Sequence, residues 1–146
     1  MVDLAMVKRL FARTCGRVRY KLGAKAPSLS ASSSDIHAID CSGWVRWVLH
    51  RSGITLPDGS QQQWAHVRDV LGWRKVPYSN MRYAENDPKR LFIAFKRATK
   101  SKHGHVWLIC CGYTMESYGG NGVGARWWSS VSLVRAVEAC YEVPVV

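Results

Sequence analysis

The sequence predicts an α+β fold in which N-terminal helices pack on an antiparallel β-sheet, and three observations lead there. Apolar residues recur at helical spacing through the stretch that ends near Gly72. Beyond Trp73 the pattern changes to short strand-like runs separated by Gly or charged turns. With 146 residues and 47% hydrophobic content, the chain suits one core rather than two, so residues 1–146 are read as a single domain. Helices that precede strands, rather than alternating with them, are the order of an α+β domain.

The first element rests on Leu4, Val7, Leu10, Phe11 and Val18, spaced as one helical face with basic residues between them. From Gly23 to Asp35 the chain carries Pro27 and five serines, a loop composition. Asp40-Cys41-Ser42-Gly43 then opens Trp44, Val45, Trp47, Val48 and Leu49, a helix buried on one side that should end near Ser52-Gly53. Leu56-Pro57-Asp58-Gly59 reads as a turn, with Ser60 capping a third helix through Gln63, Trp64, Val67 and Val70 to a stop at Gly72. Leu91–Phe95, His105–Ile109, Tyr113–Tyr118 and Tyr141–Val145 are the strand-like runs.

Lys and Arg number 21 against 10 Asp and Glu, a formal charge of +11, which favours anionic partners but is spread along the chain rather than gathered in one arm. Cysteines 15, 41, 110, 111 and 140 make an odd set without a CxxC pair, which argues against a zinc site and against a complete disulfide framework. Cys110 and Cys111, inside an apolar run, read as packing residues, and a Cys15–Cys140 bridge would join the two ends. No stretch approaches the ~18 apolar residues of a membrane span. Residues 1–20 are interrupted by Asp3, Lys8, Arg9, Arg13, Arg17 and Arg19, so they lack the apolar centre of a secretory signal.

Cys41 is the chemically pointed position. A thiol in the first turn of a helix meets unsatisfied N–H groups and the positive end of the helix dipole, both of which favour thiolate. The same N–H groups can hold an oxyanion. Such a nucleophile needs an imidazole within hydrogen-bond reach. His105, at the start of a strand-like run, is the candidate, with His103 as its competitor. A third group must orient the imidazole, and Glu116 lies on the next run, where a hairpin would bring it beside His105.

Taken together, Tyr20-Lys21-Leu22-Gly23, Asp40-Cys41-Ser42-Gly43 with its apolar helix, Gly53-Ile54-Thr55-Leu56-Pro57 with Ser60 and Gln63, and Gly104-His105-Val106 resemble the NlpC-type family of cell-wall cysteine peptidases. The match in order and spacing runs over about residues 15 to 120. The resemblance implies a papain-like fold that hydrolyses an amide bond of the peptidoglycan stem peptide, typically from γ-D-glutamate to the diamino acid, without a metal or other cofactor. It implies Cys41 as nucleophile, His105 as base, Tyr20 as a tyrosine lining the substrate cleft, and Asp40 and Ser42 as flanking cleft residues. Glu116 departs from the family's more usual His, Asn or Gln at the third position. Asp87-Pro88-Lys89-Arg90 replaces its Pro-Gly-Asp, and the serine-rich stretch before Cys41 is an insertion. The run from Glu116 to Gly124 is similar to the late loop of some cell-wall amidases delivered by phage or secretion systems, and it reads equally as a hairpin turn.

On this reading the partner is a stem peptide within an anionic envelope, the protein is monomeric, and an immunity protein is admitted as a further partner. A protein made in the cytoplasm would reach the cell wall or periplasm by phage- or secretion-system-mediated delivery. Two rivals remain. A papain-like fold can act on another amide or acyl substrate. Seven tryptophans in a basic chain could also stack on single-stranded nucleic acid, although Trp44, Trp47 and Trp64 have core spacing and only Trp127-Trp128, beside Arg126, read as exposed.

Overall fold

The computed structural model describes residues 1–77, 86–128 and 137–146. Helix α1 spans Leu4–Thr14 and starts where the Asp3 carboxylate accepts the Met6 N–H at 3.1 Å. Its buried face is Leu4, Val7, Leu10 and Thr14. Val18, expected on this helix, lies beyond it. Cys15 is extended and Gly16 turns through φ 73°, so the helix stops, and Val18 enters the core from the following segment instead.

Helix α2, Cys41–Arg51, has the expected limits and is capped by Asp40. It is the most buried helix, with Trp44, Val45, Trp47, Val48 and Leu49 all sealed from solvent. Both of its indoles are satisfied. Trp44 Nε1 donates to Thr14 Oγ1 at 3.1 Å, and Trp47 Nε1 to the Ala31 carbonyl at 3.0 Å. Those two bonds fasten α2 to α1 and to the serine-rich loop. Helix α3 runs Ser60–His66 and continues as a wider π turn, Val67–Leu71, to a left-handed Gly72. Its cap position is occupied by Gly59, at φ 89°, and not by Ser60. The turn needs a left-handed residue there, which moves the helix start one place along and leaves the Ser60 hydroxyl unused as a cap.

The sheet has five strands: β1 Leu91–Lys96, β2 His105–Cys110, β3 Tyr113–Tyr118, β4 Gly122–Gly124 and β5 Ala139–Val143, in the order β4-β3-β2-β1-β5. All four pairings are antiparallel. The predicted α+β architecture is therefore the observed one, with β1 and β2 each ending one residue later than expected. The glycine-rich run closes as a hairpin whose return arm is β4, pairing Glu116 with Gly124 and Tyr118 with Gly122. The last strand begins at Ala139 and ends at Val143 rather than Val145, because Pro144 has no N–H to offer the ladder.

Alternation along the strands gives the sheet two apolar faces. Ile93, Phe95, Val106, Leu108, Met115, Tyr141 and Val143 join the residues of α1 and α2 in the main core. Phe92, Ala94, Trp107, Ile109 and Cys140 join Val76, Trp128 and Val137 in a smaller cluster. Trp128 is thus buried, which corrects the expectation of an exposed Trp127-Trp128 pair; Trp127 alone is exposed, at 49%. Cys110 is buried as expected, whereas Cys111 is exposed and turns through φ 52° between β2 and β3. No disulfide joins Cys15 and Cys140: the first is on the surface and the second is sealed in β5. Among the described residues no helix is long and apolar enough to cross a membrane.

Candidate active site

The start of α2 is built by Asp40. Its Oδ1 accepts the Gly43 N–H at 2.7 Å, its Oδ2 accepts the Gly23 N–H at 3.1 Å, and its own N–H donates to the Ala24 carbonyl at 2.9 Å. One carboxylate therefore caps the helix and pins the preceding loop to it. Gly43 permits this closeness, since a Cβ there would stand 2.8 Å from Asp40 Oδ1 and 3.1 Å from the Ala24 carbonyl. Cys41 is the first residue of this helix and only 7% exposed.

His105 opens β2 and projects toward that thiol. The preceding Gly104 is closely packed by α3 and β1, because a Cβ there would meet Gln61 Nε2 at 2.7 Å and the Lys96 carbonyl at 3.0 Å. The imidazole stacks on Trp107, ring centroids 5.2 Å apart, and its Nε2 lies 2.6 Å from Glu116 Oε1. The β2–β3 register pairs Leu108 with Met115, so Glu116 shares a face with Trp107 and His105. Nε2 is engaged with Glu116, which leaves Nδ1 as the nitrogen for the Cys41 sulfur. Burial alone would lower the basicity of His105; hydrogen bonds with Cys41 and Glu116, and their negative charges, overturn this and raise its pKa from 6.5 to about 9. Glu116 is completely buried, yet its pKa is lowered. Burial pushes it up, and the His105 and Arg126 hydrogen bonds push it down by more.

The six residues expected at the site, Cys41, His105, Glu116, Tyr20, Asp40 and Ser42, fall within one neighbourhood, although not in one kind of position. Cys41, His105 and Glu116 form a connected row. Tyr20 is partly exposed, and its hydroxyl is made less acidic by burial first and then by the charges of Cys41 and Asp40. It also lines a cleft of about 360 Å³ with Arg19, Gly120, Asn121 and Gly122. Asp40 and Ser42 flank Cys41 but are both about nine-tenths buried or more and already engaged: Lys25 Nζ reaches Asp40 Oδ2 at 2.7 Å and Ser42 Oγ at 3.1 Å. His103, the competing imidazole, is exposed in the β1–β2 connection.

Two residues, Lys25 and Arg126, escaped the sequence reading as contributors to the site, and Gln63 figures there only as part of the motif. Lys25, one of the 21 basic residues, bridges Asp40 and Asp58. Gln63 reaches from α3 to donate to the Ser42 carbonyl at 3.0 Å. Arg126, read only as a cation beside tryptophans, grips Glu116. A signal for Arg126 existed: a hairpin turning at Gly119-Gly120 carries it back across from Thr114, two residues along the strand from Glu116. Among the described residues no cluster of His, Cys, Asp or Glu could hold a metal ion.

A cysteine at the start of a buried helix, facing a histidine at the start of a strand in an antiparallel sheet, defines a papain-like architecture. The sequence pattern of the NlpC/P60 family matches residues 16–117, and the chain belongs to that family. Solved structures agree on the fold. An NLP/P60-family protein similar to lipoprotein, from Staphylococcus aureus, superposes with a TM-score of 0.62 at 17% identity, over 94% of this chain and 40% of that one. NlpC1 from Trichomonas vaginalis gives 0.65 at 17%, over 98% and 45%. The peptidoglycan hydrolase RipB from Mycobacterium tuberculosis gives 0.58 at 22%, over 94% and 63%. The chain therefore spans between two-fifths and two-thirds of the length of these three relatives. No curated protein sequence matches it.

Proposed function

We propose that this chain is a peptidoglycan hydrolase, a cysteine endopeptidase that cuts an amide bond of the cell-wall stem peptide through an acyl-enzyme. The observation that carries the reading is the row Cys41–His105–Glu116 at the first turn of α2, within an NlpC/P60 domain. A histidine whose basicity is raised by its partners, set beside a thiol at a helix N-terminus, is the arrangement that activates a cysteine nucleophile.

The Cys41 thiolate attacks the scissile carbonyl carbon and forms a C–S bond. The developing oxyanion is held by backbone N–H groups at the start of α2, where Gly43 is already taken up by Asp40 and the groups of Cys41 and Ser42 lie nearest the sulfur. His105 then gives its proton to the leaving amine as the C–N bond breaks. In the second half His105 takes a proton from water, the hydroxide attacks the thioester, and the acid is released with Cys41 restored. Glu116 keeps the imidazole oriented through both halves. Tyr20 borders the substrate, while Asp40 and Ser42 act as the framework that sets the Cys41 backbone. The bond is that between γ-D-glutamate and the diamino acid, the linkage implied by the NlpC-type resemblance.

Mass spectrometry of purified peptidoglycan digested by the wild type and by Cys41→Ala tests this. New stem-cut muropeptides made by the wild type only are the expected result, and their masses name the bond. An unchanged profile with folded protein would transfer the domain to a different amide or acyl substrate.

A further inference from the structure

Glu116 holds more than His105. Its Oε1 accepts both His105 Nε2 at 2.6 Å and Arg126 Nη2 at 2.6 Å, and its Oε2 accepts Arg126 Nε at 3.0 Å. The carboxylate is wholly buried, a setting that an isolated anion would not tolerate. Arg126 is itself held on three sides. Its carbonyl accepts the Thr114 N–H and its N–H donates to Thr114 Oγ1, each at 2.9 Å, while its guanidinium lies over the Tyr118 ring at 4.5 Å. The fork of Arg126 therefore fixes the plane of the carboxylate as well as its charge.

Glu116 thus stands between two cationic partners, His105 on one side and Arg126 on the other, with Cys41 beyond the imidazole. We propose that Arg126 is the positioning residue of this site, acting through Glu116: it keeps the buried carboxylate ionised and aimed, and by sharing Oε1 it limits how tightly His105 holds its proton. The second effect matters because His105 must surrender that proton to the leaving amine; a carboxylate with no competing cation would retain it. Glu116 and Arg126 are then one functional unit, and removing either alone is worse than removing both. The proposal rests on the hydrolase reading above. Among the described residues, polar or charged groups around the row include Tyr20, Lys25, Asp40 and Ser42 on the helix side, Ser60 and Gln61 beside Gly104, Lys96 paired with His105 across β1, and Thr114 on β3.

The test compares Glu116→Gln, Arg126→Gln, Arg126→Lys and the double variant Glu116→Gln/Arg126→Gln. Two readouts are used: kcat/KM against pH on peptidoglycan, and the pH dependence of Cys41 alkylation by iodoacetamide, followed peptide by peptide because Cys15 and Cys111 are exposed and will react as well. Glu116→Gln leaves a guanidinium facing the imidazole, so its basic limb moves to lower pH. Adding Arg126→Gln moves that limb back up and raises kcat/KM about tenfold over Glu116→Gln alone, a coupling of the size expected for contacting charges. Arg126→Lys, which keeps the charge but loses the fork, lowers kcat more than it raises KM. A double variant no more active than Glu116→Gln, with an unmoved basic limb, overturns the proposal, as does a folded Arg126→Lys with wild-type kcat. If Arg126→Gln does not fold, the double and Lys variants still decide the matter. Wild-type Cys41 that shows no imidazole-linked alkylation limb would instead sink the hydrolase reading.

Discussion

Cys41 and His105 each depend on a glycine neighbour. Gly43 and Gly104 sit where a single added methyl would stand within 3.0 Å of other atoms, so Gly43 lets the Asp40 cap and the Ala24 loop close on the start of α2, and Gly104 lets the start of α3 and the end of β1 close on the residue before His105. Gly43→Ala should destabilise the fold by about 1–3 kcal/mol, the usual cost of forcing a methyl into a packed site, as read by urea unfolding. Wild-type stability would refute the close packing of Ala24 on α2. The same scale holds the pairing of His105 with the thiol. In Cys41→Ala the imidazole loses the partner that adds most to its basicity, so its NMR titration should fall from about 9 toward 6.5, with the Glu116 contribution remaining. A midpoint still near 9 would mean that Glu116 alone sets it.

Helix α2 works as a unit because its cap, its loop and its core face all meet at Asp40. Removing that carboxylate deletes the cap, frees the Gly23 N–H and leaves Lys25 with only Asp58 and the Ser42 hydroxyl. Asp40→Ala should cost about 2 kcal/mol, the upper part of the range for a lost cap, and should slow alkylation of Cys41 because the helix start is no longer fixed. A destabilised protein with an unchanged alkylation rate would separate the cap from the chemistry. At the other end of the helix–helix contact, Thr14→Val strands the buried Trp44 Nε1 without its acceptor. Thermal unfolding should show a loss of about 1–3 kcal/mol, with little effect on Cys41.

At the level of the whole molecule, the buried row ties stability to pH on both sides. His105 has a folded pKa near 9, above its unfolded 6.5, so its contribution is complete below 6.5 and is lost as pH rises toward 9. Glu116 is shifted the other way, below 4.5, so its contribution is complete above 4.5 and is lost as pH falls further. Urea midpoints measured across the pH range should therefore be highest between about 4.5 and 6.5 and decline on either side. A midpoint that is flat from 6.5 to 9 would show that His105 is not coupled to Cys41 and Glu116. The basic surface adds little to this balance, since pairs such as Arg97–Glu138 and Arg68–Asp69 are largely solvated.

Sequence alone was enough for the order and type of most elements and for the three members of the Cys41–His105–Glu116 row. Period, caps and turn glycines are local properties, and a hairpin register follows from the length of its turn. It misplaced what depends on distant contacts. Val18 leaves its helix because Gly16 turns and β4 receives it, with the Val18 carbonyl accepting the Val123 N–H at 3.0 Å. Trp128 is buried because the second face of the sheet needs covering, which no local pattern around it states. Lys25 and Arg126 looked like two among 21 basic residues until the fold set one against Asp40 and the other against Glu116. A charge has no periodicity to betray its partner. Only the tertiary structure, by burying a carboxylate, decides which cation must stand beside it.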